Sequence, residues 1–272
     1  MRVPGGPARR PWRDACWLAA LAAAAVLAAC GAGRGGEGEQ TLRVFAASSL
    51  DEVLPGVVEL YAAERPGVAV EVVFGGSQLL ATQVEEGAPA DVLLSADRAQ
   101  AERLTASGDA GRSLPFAANA LALVVPVGSP AASVEALAEP GRRIAAGAPA
   151  VPVGALTRAA LARLDGDVAR GIRANIVTED PSVRVVLSRV ESGEADGAFV
   201  YQTDARRGRG PGGGALRALP LPADLPANEY VAVLLAGAGP GAEAFVDFLD
   251  SEDARRLLRA AGFLAPVGAA AR

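Results

Sequence analysis

The residues best suited to chemistry are small polar groups that stand where an apolar run ends and a helical pattern begins. Ser49 follows the strand-like run at 42–47, and Ser77 follows two glycines after the run at 68–74. A helix N-terminus presents unpaired backbone N–H groups and about half a positive charge, and a serine adds an O–H donor. Such positions are suited to binding a small anion without any charged side chain.

Three later positions have the same character. A helix start at 151–154 follows the run at 142–147, another at 179–183 follows the run at 174–177, and Tyr201 ends an apolar run with a phenol. Each position alone has an ordinary structural explanation, because serines favour N-caps, paired glycines form turns and buried tyrosines pack in cores. Only their joint placement at strand ends predicts a binding site.

Two neighbouring residues are alternative contacts at this predicted site. Ser48 precedes Ser49, and Ser182 precedes Val183, so either member of each pair is a possible donor. The residue types do not decide between them.

The composition excludes several kinds of enzyme. The chain has no histidine, so Ser–His–Asp catalysis, Cys–His catalysis and histidine-ligated metal sites are not available within it. Glu179 and Asp180 form the one acidic pair near the predicted site, and capping of the following helix explains them more simply than carboxylate catalysis. We therefore expect no enzyme activity, no catalytic residue and no cofactor; an exported carboxylate-based hydrolase is the alternative from that class.

The N-terminal segment predicts export. Residues 1–29 carry four arginines followed by an uncharged apolar stretch that is too short for a comfortable transmembrane helix, which is typical of a signal peptide. The stretch ends in Leu-Ala-Ala followed by Cys30, which resembles a bacterial lipobox. The sequence therefore predicts lipidation of Cys30, with an ordinary signal peptide as the alternative. Gly-rich residues 30–40 are expected to form a flexible tether.

The charge argues against nucleic acid as a partner. All 26 basic residues are arginine, and removing residues 1–29 takes away four arginines and Asp14. The remaining chain then has 22 basic against 30 acidic residues, a balance of −8. An acidic protein of this kind lacks the basic surface that phosphate backbones require.

From residue 42 onward, strand and helix patterns alternate, which predicts an α/β fold with a mainly parallel sheet. This alternation predicts two lobes, with the sequence of one lobe inserted into the sequence of the other. We expect lobe I to comprise 41–120 plus 230–272, and lobe II to comprise 121–229. Two crossover strands, near 116–126 and 225–235, would join the lobes, with the ligand cleft between them.

Several long segments resemble the molybdate-binding proteins of ABC importers. The resemblance covers about 41–264, and its most specific parts are "EEGAPADVLLSAD" and "GEADGAFVYQTDA". It extends to "VFAASSL", "VPVGALTRAAL" and "FVDFLDSEDARRLLRAAGF". The resemblance implies a type II periplasmic-binding-protein fold, in which two lobes close on molybdate or tungstate.

The resemblance also assigns roles to residues of this sequence. It implies hydroxyl and backbone N–H donors from Ser49 and Ser77, backbone N–H donors from Val153 and Val183, and the phenol of Tyr201. It implies no direct metal ligand, since molybdenum would be bound as its oxyanion. Another small anion is the alternative ligand, although a carboxylate usually requires a bidentate arginine, and none is predicted to face the cleft.

The expected partners follow from the same resemblance. The protein is expected to be a monomer that delivers its anion to the permease of an ABC importer. Its only membrane contact apart from the permease would be the lipid anchor at Cys30, placing it in the periplasm or on the outer face of the cytoplasmic membrane.

Overall fold

The computed structural model describes residues 40–207 and 216–266. The predicted signal peptide, Cys30 and all but the last residue of the predicted tether lie outside these residues. Within the described ranges, no helix is long and apolar enough to cross a membrane.

The described residues form nine strands and ten α-helices, together with a 3₁₀ turn at Ser48–Leu50. The strands are β1 (Gln40–Ala47), β2 (Val68–Gly75), β3 (Val92–Ser95), β4 (Ala110–Pro126), β5 (Ile144–Gly147), β6 (Ile176–Asp180), β7 (Gly197–Tyr201), β8 (Leu216–Leu219) and β9 (Ala227–Leu235). The helices are α1 (Leu54–Glu64), α2 (Ser77–Glu85), α3 (Arg98–Ser107), α4 (Val134–Ala138), α5 (Pro152–Leu161), α6 (Gly166–Ala174), α7 (Val183–Glu191), α8 (Gln202–Arg207), α9 (Ala242–Phe248) and α10 (Glu252–Ala261).

The predicted α/β class is confirmed, with two groups of parallel strands. Strand β1 pairs in parallel with β2 and β3, and β5 pairs in parallel with β6 and β7. The central strands of these groups are apolar and buried, as expected when helices cover both faces of a sheet. The strand order is β2-β1-β3-β9-β4-β7-β5-β6, with β8 beside β4.

The prediction of a mainly parallel sheet is wrong at its centre, where β9 and β4 run antiparallel to their neighbours. Strand β9 pairs with β3 on one side and with β4 on the other. Strand β4 pairs with β9 as far as Ala120, and from Leu121 it pairs with β7. These two strands therefore join the two parallel groups into one hydrogen-bonded sheet, while the lobe boundaries stay a prediction.

Strand β4 begins at Ala110, earlier than the crossover strand predicted near 116–126. Its first half contains Gly111 and Pro115, which interrupt the apolar pattern that marks a strand in sequence. The register shifts between Ala110 and Ser113 and again between Pro115 and Ala117. Irregularities of this kind accommodate proline within a paired strand, since proline has no N–H to donate.

Helix α6 was not predicted, because two glycines and few apolar residues weaken its pattern. The side chain of Asp165 caps it by accepting hydrogen bonds from the N–H groups of Asp167 and Val168, at 2.9 and 3.4 Å. A Cβ atom at Gly171 would lie 2.3 Å from the carbonyl oxygen of Ala138. Glycine at this position thus allows α6 to pack directly on the end of α4.

The C-terminal helices pack on the first part of the chain. The ring of Tyr61 in α1 lies edge-on to Phe245 and Phe248 of α9, with centroid distances of 5.0 and 5.4 Å. Its hydroxyl donates to the carbonyl oxygen of Gly241 at 3.1 Å. All three rings are buried, so this cluster fixes the end of the chain to α1.

The first turn of α5 provides a test of backbone packing. A Cβ atom at Gly154 would lie 2.0 Å from the carbonyl oxygen of Ala148 and 2.4 Å from that of Gly147. Because backbone must move to relieve these clashes, we expect Gly154→Ala to lower the free energy of unfolding in urea by about 1–3 kcal/mol. Gly166→Ala is the matched control, since nothing lies within 4 Å of its added Cβ. Equal losses in the two variants would contradict this account of α5.

Candidate functional site

A small cavity brings together all five residues that the sequence predicted as anion donors. Its empty volume is about 210 Å³, including space open to solvent. The lining residues come from strand ends and from the helix starts that follow them: Ala47, Ser48, Ser49, Gly75, Gly76, Ser77, Ala96, Val151, Pro152, Val153, Ser182, Val183 and Tyr201.

The hydroxyl of Ser77 lies at the first residue of α2 and is buried. Its Oγ accepts a hydrogen bond from the N–H of Ala96 at 3.0 Å. A serine hydroxyl has one proton and two lone pairs, so this contact occupies a lone pair and leaves the proton available to a ligand. The backbone N–H of Ser77 also has no partner within its own helix, because it belongs to the first turn.

The missing side chain at Gly76 allows two helix starts to approach each other. A Cβ atom there would lie 2.4 Å from the carbonyl oxygen of Pro181, which precedes α7. The amide of Gln78 also donates to this oxygen, at 2.8 Å. These contacts hold the N-termini of α2 and α7 side by side at the cavity.

Ser49 lies in the 3₁₀ turn that follows β1, and its Oγ is 2.7 Å from the hydroxyl of Tyr230. Its neighbour Ser48 also lines the cavity, and the Ser48 carbonyl oxygen accepts a hydrogen bond from Arg184 at 3.1 Å. Both serines are thus at the site, and the choice of Ser49 as the contact stays a prediction.

Tyr201 ends β7 and is one of the residues that line the cavity. The side-chain amide of Asn228 donates to the Tyr201 hydroxyl oxygen at 2.8 Å. Burial raises the pKa of Tyr201 well above its usual value, so the phenol stays protonated. It is therefore a neutral O–H donor whose oxygen already accepts one hydrogen bond.

Two more helix starts contribute backbone donors. Pro152 is the first residue of α5 and has no N–H, so the first N–H of this helix belongs to Val153. Val183 is the first residue of α7, and the Ser182 hydroxyl caps that helix by accepting from the N–H of Val185 at 3.4 Å. This cap engages the Ser182 oxygen, and the choice between Ser182 and Val183 as the contact stays a prediction.

None of the residues that line the cavity is charged. Arg184 lies beside the cavity, and its guanidinium donates to Asp204 at 2.8 Å and to Asp51 at 2.5 Å. Its Nε–H donates to the Ser48 carbonyl oxygen. The arginine is therefore engaged beside the cavity rather than inside it.

The acidic pair considered for catalysis lies outside the cavity lining. Glu179 pairs with Arg158, and Asp180 accepts hydrogen bonds from Thr178 at 2.8 Å and from Arg189 at 3.0 Å. Both carboxylates are thus occupied in ion pairs. Among the residues the structure describes, no group of three or more acidic or cysteine side chains could hold a metal ion.

Asn228 and Tyr230 were missed by the sequence reasoning. They lie two residues apart on β9, so their side chains share one face of the strand. In the sequence, the signal for these two residues was a pair of polar side chains two positions apart in an otherwise apolar strand. Only the fold shows that this face of β9 lies behind Tyr201 and Ser49.

Comparison with known proteins identifies similar chains. Residues 42–264 match the family described as bacterial extracellular solute-binding protein. The chain is 40% identical over 172 residues to the molybdate-binding protein ModA of Mycobacterium tuberculosis, covering 62% of this chain and 64% of that protein. It thus spans less than two thirds of that relative's length.

Two further similarities cover more of the chain. The molybdate-binding protein ModA of Haemophilus influenzae is 30% identical over 237 residues, covering 82% of this chain and 89% of that protein. The solved structure of the periplasmic molybdate-binding protein of Azotobacter vinelandii is 26% identical, with a TM-score of 0.71. It covers 83% of this chain and 99% of the other.

The buried carboxyl beside the site predicts a pH dependence of stability. Burial raises the pKa of Asp204 to about 6, although Arg184 and the N–H of Tyr201 oppose this rise. An aspartate in the unfolded chain has a pKa of about 3.9, so the folded protein binds this proton more tightly. The contribution of Asp204 to stability is then fully present below about pH 4 and is lost as the pH rises through about 6.

We test this by subtracting the unfolding free energy of the Asp204→Asn variant from that of the unchanged protein. The difference should fall by up to about 3 kcal/mol between roughly pH 4 and pH 7. Urea unfolding of both ligand-free proteins at a series of pH values measures it, and other titrations cancel in the difference. A difference that stays flat or rises with pH would show that Asp204 is ionised throughout.

Proposed function

This chain belongs to the family of bacterial extracellular solute-binding proteins, and on that premise we propose that it captures molybdate or tungstate outside the cytoplasm. In this proposal Ser49, Ser77 and Tyr201 donate from their hydroxyls, and Val153 and Val183 donate from backbone N–H groups. The protein binds its ligand and does not transform it.

One observation carries the proposal: the cavity offers hydrogen-bond donors and no charge. The oxygens of Ser77 and Tyr201 already accept from Ala96 and Asn228, so their protons are free for a ligand. Ser77, Val153 and Val183, which stand in the first turns of α2, α5 and α7, line the same cavity, and first-turn N–H groups have no partner within their own helix. A small ligand that only accepts hydrogen bonds, on all sides, is the chemical match to such a lining.

A dianion is tolerated here because donors replace its water shell. Burying an unpaired ion is costly, but hydrogen bonds to a charged acceptor contribute about 1.5–3 kcal/mol each. Each helix N-terminus adds about 0.3–2 kcal/mol depending on burial. These donors are local, so the net negative charge of the chain does not prevent the binding of an anion.

The cavity lining restricts the size and the chemical class of the ligand. The small cavity favours an inorganic anion over a drug-sized molecule. The absence of arginine from the lining disfavours a carboxylate, which usually takes a bidentate guanidinium. The similar proteins from M. tuberculosis, H. influenzae and A. vinelandii are named as molybdate-binding proteins, which supports molybdate as the first ligand to test.

Sulfate is the second candidate, because it too is a fully deprotonated tetrahedral anion at neutral pH. Selection against it would come from size, since Mo–O and W–O bonds are longer than S–O bonds. A rigid shell around the smaller ion leaves donors without partners, at about 1–3 kcal/mol for each buried group.

Delivery completes the proposed function. Two lobes, 41–120 with 230–272 and 121–229, close over the anion by movement about β4 and β9. The closed protein, as a monomer, then docks on the permease of an ABC importer. Lipidation of Cys30 keeps it at the outer face of the cytoplasmic membrane, within reach of that permease.

Calorimetric titration of the exported form, without residues 1–29, tests the ligand. We expect one-to-one binding of molybdate and tungstate, and much weaker binding of sulfate, because the shell fits the larger anions. Phosphate should bind more weakly than molybdate, since it carries a proton at neutral pH while the oxygens of Ser77 and Tyr201 are already engaged as acceptors. Folded protein that has been stripped of bound anion and binds none of the four would overturn the proposal.

The phenol of Tyr201 provides a single-atom test of the site. Tyr201→Phe removes one charge-assisted hydrogen bond, so molybdate affinity should fall about 10- to 150-fold. Tyr61→Phe is the matched control, because it removes a buried hydroxyl that bonds to Gly241 and lies outside the cavity lining. The Tyr61→Phe variant should keep the molybdate affinity of the unchanged protein. An equal loss of molybdate affinity in both variants would mean that the Tyr201 hydroxyl acts only through the fold.

A further inference from the structure

We propose that Asn228 and Tyr230 of strand β9 are positioning residues that turn the hydroxyl protons of Tyr201 and Ser49 toward the anion. Neither side chain lines the cavity, and each is hydrogen-bonded to a hydroxyl that does. This inference rests on the proposed function, since it concerns how the proposed donors are oriented.

Asn228 sets the direction of the Tyr201 hydroxyl. Its side-chain NH₂ group can only donate, and it occupies a lone pair of the phenol oxygen at 2.8 Å. The phenol proton then has to point elsewhere, and the cavity is the side on which a ligand accepts it. Without the amide, the O–H is free to rotate, and its oxygen lone pair can face the anion instead.

Tyr230 acts on Ser49 in the same way. Their oxygens are 2.7 Å apart, and either hydroxyl is able to donate. With an anion beside Ser49, the favourable direction is Tyr230 to Ser49 and Ser49 to the anion, because the reverse turns a lone pair of Ser49 toward the negative charge. Burial raises the pKa of Tyr230, so its phenol keeps the proton that this chain requires.

The ring of Tyr230 is fixed by its packing. It lies edge-on to Phe263, Tyr201 and Phe116, with centroid distances of 5.3, 6.0 and 6.2 Å. Its side chain is fully buried. The hydroxyl therefore reaches Ser49 from a single, immobile position, as positioning of a donor requires.

One strand thus orients donors from two distant parts of the chain. Ser49 follows β1 and Tyr201 ends β7, while β9 is paired with β3 on one side and with β4 on the other. Asn228 and Tyr230 project from the same face of this strand. Their common support keeps both hydroxyls directed at one point, and it favours anions without a proton to donate.

A double-mutant cycle with molybdate as the titrant tests the role of Asn228. Asn228→Leu is expected to weaken binding about tenfold, the effect of one misdirected hydrogen bond. In the Tyr201→Phe background the same substitution should change affinity less than twofold, because no hydroxyl remains to be oriented. An equal factor in both backgrounds would overturn the inference, since a general structural role of Asn228 would not depend on Tyr201.

A second cycle uses near-isosteric changes, so it remains decisive if Asn228→Leu fails to fold. Tyr230→Phe should weaken molybdate binding severalfold to about tenfold, and it should have no further effect in the Ser49→Ala background. Tyr61→Phe is again the control for loss of a buried phenol. If Tyr230→Phe lowers molybdate affinity by the same factor in the unchanged protein and in the Ser49→Ala background, the proposed orientation of Ser49 is overturned.

The outcomes separate this inference from the proposed function. If the unchanged protein binds no tetrahedral oxyanion, both fail together. If it binds molybdate and the cycles show no coupling, the function stands and the role of β9 is refuted. Coupling in both cycles, with unchanged affinity in the Tyr61→Phe control, supports both.

Discussion

The proposed function sets one constraint on the structure: an anion that is buried among uncharged groups needs a donor from every group that faces it. Backbone N–H groups at helix starts meet this condition because they have no partner within the helix, and a hydroxyl meets it when a neighbouring donor already engages its oxygen. The fold satisfies the first condition by placing the starts of α2, α5 and α7 around one cavity. It satisfies the second through the N–H of Ala96 and the amide of Asn228, and in the proposed orientation through the phenol of Tyr230, which is within hydrogen-bond distance of Ser49. Close approach of these elements requires positions without side chains, such as Gly76 and Gly154.

The sequence predicted the lining of the cavity better than its support. Ser77 and Val183 were found because a strand followed by a helix start is a local pattern, and parallel strands bring such patterns to one edge of a sheet. Asn228 and Tyr230 were missed because their role depends on which strand lies behind Tyr201, and no local pattern encodes that neighbour. Strand β4 and helix α6 were misjudged for a related reason. The glycines of both elements and Pro115 of β4 weaken the local pattern. Tertiary contacts stabilise these elements instead, such as the pairing of β4 with β9.

The treatment of charge follows from the same constraint. An arginine inside the cavity would bind anions more strongly, but it would also accept carboxylates and would be left unpaired when the site is empty. Here Arg184 lies beside the cavity. Its guanidinium is engaged by Asp204, Asp51 and the Ser48 carbonyl oxygen. Arg184 adjoins Val183 in sequence and contacts the residue before Ser49 in space. It thus contacts two of the proposed donor-bearing segments without lining the cavity, and neighbouring carboxylates balance its charge.

A site of this design derives its selectivity from rigidity. Donors held by flexible side chains would reorganise around a smaller or protonated anion and so reduce the cost of the mismatch. The proposed donors belong to helix backbones and to hydroxyls whose partners are buried or half-buried, so they have little freedom to follow a poorer ligand. Each donor left without a partner then costs about 1–3 kcal/mol, and two such failures alone change affinity by more than tenfold. In the proposed site, the positions that fix donor direction, including Asn228 and Tyr230 on β9 outside the cavity lining, therefore contribute to specificity together with the lining residues.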